Sequence, residues 1–134
     1  MHADPTTPDG PPEAQAHDAT LAALTATRAI IAAGWTQGAY QREVDGVMCH
    51  CLTAAAMIAG TGTSVSDWPA KGRCERFALE SCLIIRKLHD AIGDKGDFKN
   101  PAQNLTAWND HPRRTQEEVL ALIDRAIAAR QVAP

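Results

Sequence analysis

Apolar positions recur along this chain mostly with helical spacing. From Asp18 or Thr20 to Ala33, residues Ala23, Leu24, Thr27, Ile30 and Ile31 fall on one face at a period near 3.6. Gly34 is placed to end that helix in a left-handed turn, with Trp35 folding back onto its last turn. The pattern then changes. Asp45-Gly46 stands between β-capable residues, with Tyr40 and Val44 before it and Val47 and Met48 after it, which predicts a two-stranded hairpin. Thr53 to Ala59 reads as a short helix closed by Gly60, and Gly60 to Ser66 as a connection.

The longest periodic segment runs from Pro69 or Gly72 to Ile92, with Gly93 as its stop. One arc of that helix collects Cys74, Phe77, Ala78, Ser81, Cys82, Ile84, Ile85, Leu88, His89 and Ile92. The other collects charges, laced by the pairs Arg76–Glu80 and Arg86–Asp90. Leu79 and Leu83 project among those charges, so either another part of the chain, such as the hairpin, covers them or they face a second chain. After a charged loop, Asn100-Pro101 opens a short helix to about Trp108, which Asn109-Asp110-His111-Pro112 breaks. Thr115-Gln-Glu-Glu118 is a capping box for a last helix reaching about Arg130, with Val119, Leu120, Leu122, Ile123, Ala126 and Ile127 inward. The expected fold is mainly α, a small bundle of about four to five helices with one short β-hairpin.

Composition separates this domain from its N-terminus. Residues 1–17 hold four prolines, three acids and no Lys or Arg, and their apolar side chains beyond Met1 are alanines. Such a segment buries too little to offset the entropy of ordering, so residues 1–17 are expected to be a disordered acidic tail and 18–134 the single domain. Asp4, Asp9, Glu13 and Asp18 carry the negative charge; the rest has 13 basic against 12 acidic side chains. A nearly neutral domain gives no electrostatic case for a membrane surface or nonspecific nucleic-acid binding. The acidic, proline-rich start lacks the pattern of a signal peptide, and the four cysteines read as reduced thiols in a cytoplasm.

The strings Gly34-Trp-x-Gln-Gly-x-Tyr40, Trp108-Asn-Asp110, Arg114-Thr-x-Glu-Glu-Val119 and Asp124-Arg-Ala-Ile127 resemble a family of small proteins from bacteria and their phages, catalogued as a domain of unknown function. The resemblance spans roughly Ala32 to Ala129. It implies a helical fold and a mobile-element origin, and it carries no activity, cofactor or catalytic residue to transfer.

Candidate chemistry has to come from the residues themselves. Cys49-His50-Cys51, Cys74, Cys82, His89 and His111 suggest a metal or a thiol nucleophile. Zinc sites favour ligand pairs with two to four residues between them, however; Cys49 and Cys51 have one, and Cys74 and Cys82 lie about 12 Å apart along one helix. The cysteines therefore read as small buried apolar groups, with no metal and no cofactor expected. Asp110-His111 could orient a base, but its place between helices explains it as a turn. Gly60-Thr-Gly-Thr-Ser64 lacks the lysine of a phosphate-binding loop.

What remains is recognition. Trp35, Gln37 and Tyr40 could form an anchoring surface, as could Leu79 and Leu83. The alternative for Trp35 and Trp108 is core packing in a chain with only two phenylalanines. The expectation is a non-enzymatic protein binding a protein partner or a second copy of itself. A phage-borne accessory, a regulator or an inhibitor of host defence would fit the resemblance. A small enzyme or metal protein using the Cys/His set is the alternative. Nucleic-acid binding through Arg73, Arg76, Arg113 and Arg114 comes third.

Overall fold

The computed structural model describes the backbone of residues 12–65, 75–93 and 101–132, and side chains within 19–65, 83–93 and 101–131. Helix α1 (Pro12–Ala33) leads into a hairpin of β1 (Gln41–Val44) and β2 (Val47–His50). Helices α2 (Leu52–Thr61), α3 (Glu75–Ala91), α4 (Pro101–Asn109) and α5 (Gln116–Val132) follow. The mainly α reading holds, hairpin included. Helix α1 packs on α2 and α5, α2 on α3, and α3 on α4 and α5.

The elements follow the pattern, and their ends depart from it for identifiable reasons. Helix α1 begins at Pro12 and not at Asp18 or Thr20. Proline suits a first helical position, where its missing N–H has no intrahelical partner anyway. The expected face is inside, with Leu24, Thr27 and Ile31 fully buried. Asp45 (φ 52°) and Gly46 (φ 81°) both lie in the left-handed region, the two-residue turn that matches strand twist. That turn fixes the register Gln41↔His50 to Val44↔Val47.

Helix α2 is apolar nearly all round. Leu52 and Ala54 to Ala56 have no exposed surface, so α2 lies in the interior, where small side chains let neighbours approach. It stops at Gly62 (φ 74°), whose N–H donates to the Ile58 carbonyl at 2.7 Å, and not at Gly60. The Thr61 hydroxyl donates to the Met57 carbonyl at 2.8 Å within that last turn. The capping box of α5 is formed: Glu118 N–H donates to Thr115 Oγ1 at 3.2 Å and Thr115 N–H to Glu118 Oε1 at 2.9 Å.

On α3, Ile84, Ile85, Leu88 and Ile92 are buried as their arc requires. Leu83 is 44% exposed, so the idea that the hairpin covers it is corrected. The side chains of Arg76, Phe77, Leu79, Glu80 and Cys82, and all of Arg73 and Cys74, lie outside the described residues. Arg86 and Asp90 form no ion pair, a second correction, since exposed long side chains gain little from holding one geometry. Among the described residues no helix is long and apolar enough to cross a membrane.

Candidate functional site

The site grows out of the way the chain leaves α1. Gly34 is buried without a positive φ, so the left-handed turn expected there does not form. Its role is spatial. A Cβ on Gly34 would stand 2.8 Å from Cys49 Sγ and 3.2 Å from both Cys49 Cα and the Met48 carbonyl oxygen. Without one, residues 34–36 run parallel beside the end of β2. His50 N–H donates to the Gly34 carbonyl at 3.0 Å, and Thr36 N–H to the His50 carbonyl at 3.1 Å.

This path aims Trp35 and Gln37 at the end of α4. The Trp35 indole N–H donates to Asn109 Oδ1 at 2.7 Å, and the same oxygen accepts from Leu52 N–H at 3.1 Å. Asn109 Nδ2 donates to the Thr36 carbonyl at 3.2 Å and to Asp110 Oδ1 at 2.9 Å. Gln37 Nε2 donates to the carbonyls of Asn109 (2.8 Å) and His111 (2.7 Å). Gly38, at φ 77°, gives its N–H to Asp110 Oδ1 at 3.0 Å. The strings 34–40 and 108–110, some seventy residues apart, thus close on each other through a fully buried amide.

Of the three aromatic-loop candidates, Trp35 and Gln37 therefore face inward and hold the turn together. Tyr40 stays outside at 52% exposure. It borders a cavity of about 320 Å³ lined with Gly38, Ala39, Cys51, Thr106 and Asp110. A shallower groove of about 500 Å³ shares Tyr40 and Thr106 and continues along Met57, Ala102 and Gln103. On its floor the Thr53 and Thr106 hydroxyls are hydrogen-bonded at 2.7 Å.

The two described thiols, Cys49 and Cys51, are both buried. Cys49 fills the space beside Gly34. Cys51 caps α2, its Sγ accepting from Ala54 N–H at 3.3 Å. Burial pushes the Cys51 thiol up, backbone donors at Ala54 and Thr53 oppose that, and the nearby Asp110 charge adds to the rise. The net direction is away from a reactive thiolate. Among the described residues no three His, Cys, Asp or Glu side chains gather to hold a metal ion. His89 Nε2 meets Asn104 Nδ2 at 3.1 Å, and exposed His111 accepts from Arg113 N–H at 3.2 Å. Asp110 and His111 do not pair with each other.

The basic candidates divide as well. Arg114 lies over the Trp108 ring at 3.8 Å, donates to the Trp108 carbonyl at 2.8 Å and sits 3.8 Å from Glu118. It is a clasp between α4 and α5. Arg113 is exposed. The Asp124 carboxylate pairs with Arg28 at 2.7 Å, tying α5 to α1.

Sequence reasoning missed Asn109, which it read only as part of a helix break. The available signal was the need of a buried Trp35 indole N–H for an acceptor. No curated protein and no solved structure matches the chain. The model of a family of unknown function, DUF6197, matches residues 15–129, and the chain belongs to that family.

Proposed function

We propose that this protein works by binding another protein through the hairpin and the Tyr40 groove beside it, with no chemistry of its own. One observation carries the reading. Among the described residues five large hydrophobic side chains are exposed, and four of them, Tyr40, Val44, Val47 and Met48, fall within residues 40–48. Covering a side chain of this size is worth about 1.5–3 kcal/mol when complete, so a cluster of four is enough to anchor an interface.

The strand edge gives the partner a form. Val44 and Val47 flank a two-residue turn as a hydrogen-bonded pair, which leaves the N–H and C=O of Gln41 and Glu43 facing outward. An open edge of this kind accepts an extended segment. A second copy fits poorly. Two-fold antiparallel pairing centred on β1 would set Arg42 against Arg42 or Glu43 against Glu43, and like charges directly opposite destabilise a sheet. A foreign strand with an acid opposite Arg42 and a base opposite Glu43 meets no such penalty. The setting we propose, from the resemblance over residues 32–129, is an accessory or regulatory role on a phage or other mobile element.

Thiol chemistry is the competing reading, and the upward shift of Cys51 weighs against it. The test is paired affinity capture from the native host with the full chain and its Val47→Lys/Met48→Lys variant. A defined protein held by the native chain and lost by the equally folded variant supports the reading. Identical captured sets would sink it.

A further inference from the structure

A cavity of about 320 Å³ opens beside Tyr40, and Asp110 is the charged side chain among its described lining residues. Asp110 Oδ1 accepts from Gly38 N–H and from Asn109 Nδ2, which fixes the carboxylate in place. Its Oδ2 has no partner among the described residues and is open to solvent. An asparagine could accept both Oδ1 bonds, so they do not account for the charge. Arg42, whose guanidinium comes within 3.9 Å of the place a Gly38 Cβ would take, forms no ion pair with it.

The hairpin decides what can reach that oxygen. Cys51 N–H donates to the Tyr40 carbonyl at 3.1 Å, which carries the ladder one pair beyond Gln41↔His50. Tyr40 and Cys51 therefore share a face of the hairpin, and the cavity they both border lies on it. A segment added antiparallel to the open edge of β1 sets the residue opposite Tyr40 on that face too. We propose that this residue is a lysine and that the cavity receives its ammonium, an assignment that rests on the hairpin reading. The stem lies on the Tyr40 ring and Ala39, and the ammonium bonds Asp110 Oδ2 with Thr106 beside it. One free oxygen suits the point charge of a lysine, whereas the fork of an arginine is matched by two. With an acid opposite Arg42 and a base opposite Glu43, the partner reads base, acid, any residue, lysine.

Short capped peptides of that pattern, titrated by NMR into the full chain, test it. Shifts at the Gln41 and Glu43 amides report docking on β1. Replacing the lysine by norleucine, which keeps the stem and drops the charge, should weaken binding roughly tenfold. An arginine in its place should also bind more weakly. Against Asp110→Asn, which keeps an oxygen for Gly38 and Asn109, lysine and norleucine peptides should bind alike, with melting confirming the fold. The norleucine comparison on the native chain needs no variant and decides alone if Asp110→Asn does not fold. Docking in which norleucine or arginine equals lysine, or a lysine preference that survives Asp110→Asn, overturns the lysine site and leaves the hairpin reading standing. No shift with any peptide overturns both.

Discussion

Asn109 has no exposed surface, yet its amide accepts two hydrogen bonds and donates two. Removing it strands the Trp35 indole N–H and the Leu52 N–H in the interior, and each unpaired donor costs about 1–3 kcal/mol. Asn109→Ala should therefore destabilise the chain by roughly 2–6 kcal/mol in urea unfolding. Gln37→Ala, which frees two carbonyls nearer the surface, should cost clearly less; the reverse order would show that Asn109 is not the centre of the turn. His50 offers a second test at this scale. Burial lowers its pKa, and its Nδ1 is shielded without a partner. The folded chain thus resists protonation of His50 more than the unfolded chain, which takes up a proton near pH 6.5. The unfolded state binds more protons as pH falls through that value, so stability is full at neutral pH and declines on acidification. The urea midpoint should drop between about pH 7.5 and about pH 5.5, and His50→Gln should flatten that slope. An unchanged slope in the variant would assign the acid sensitivity to other groups.

At the scale of elements, what could be read ahead of the structure was what local chemistry decides. Asp45-Gly46 predicted the hairpin because both turn positions need positive φ, and Thr115 to Glu118 predicted the start of α5 because the box is closed by its own residues. Long-range decisions were not legible. Gly34 was placed at a helix end for its conformational freedom, when its actual contribution is the passage of β2 against it. Gly60 resembled a stop but lies within α2, and the left-handed position went to Gly62. No residue near Gly34 announces that Cys49 will arrive beside it from fifteen positions later. The consequence is measurable. Gly34→Ala should cost about 1–3 kcal/mol by overpacking, not by backbone strain. Adding Cys49→Ala removes the 2.8 Å contact with Sγ and leaves the two at 3.2 Å, so the double variant should recover part of the loss. Full additivity of the two single losses in thermal unfolding would mean that the crowding at Sγ is not the cause.

For the whole molecule, the interior is set by α2 and the inward faces of α1, α3 and α5, while the candidate recognition surface is set by what those faces leave outside. The core was legible from periodicity, since Leu24, Ile84, Leu88, Val119 and Leu122 recur where helices bury them. The surface was legible only in part. Tyr40, a surface candidate by sequence, is exposed, and for Leu83 sequence left burial under another element or a contact with a second chain open. Trp35 and Gln37 turn inward to a partner more than seventy residues away, and sequence spacing carries no trace of such closure. Leu83 and the hairpin are then two separate exposed apolar features, and one substitution ranks them. Leu83 is 44% exposed, so Leu83→Glu should change stability by no more than about 0.5 kcal/mol, as surface changes usually do. Leu88→Ala, five residues on and fully buried, should cost about 2–5 kcal/mol and serves as the interior reference. If recognition runs through the hairpin, Leu83→Glu also leaves partner capture intact while Val47→Lys/Met48→Lys abolishes it. Capture lost on Leu83→Glu, with melting and light scattering unchanged, would move the interface to α3. A drop in light-scattering mass on the same substitution would instead make Leu83 a contact between two copies of this chain.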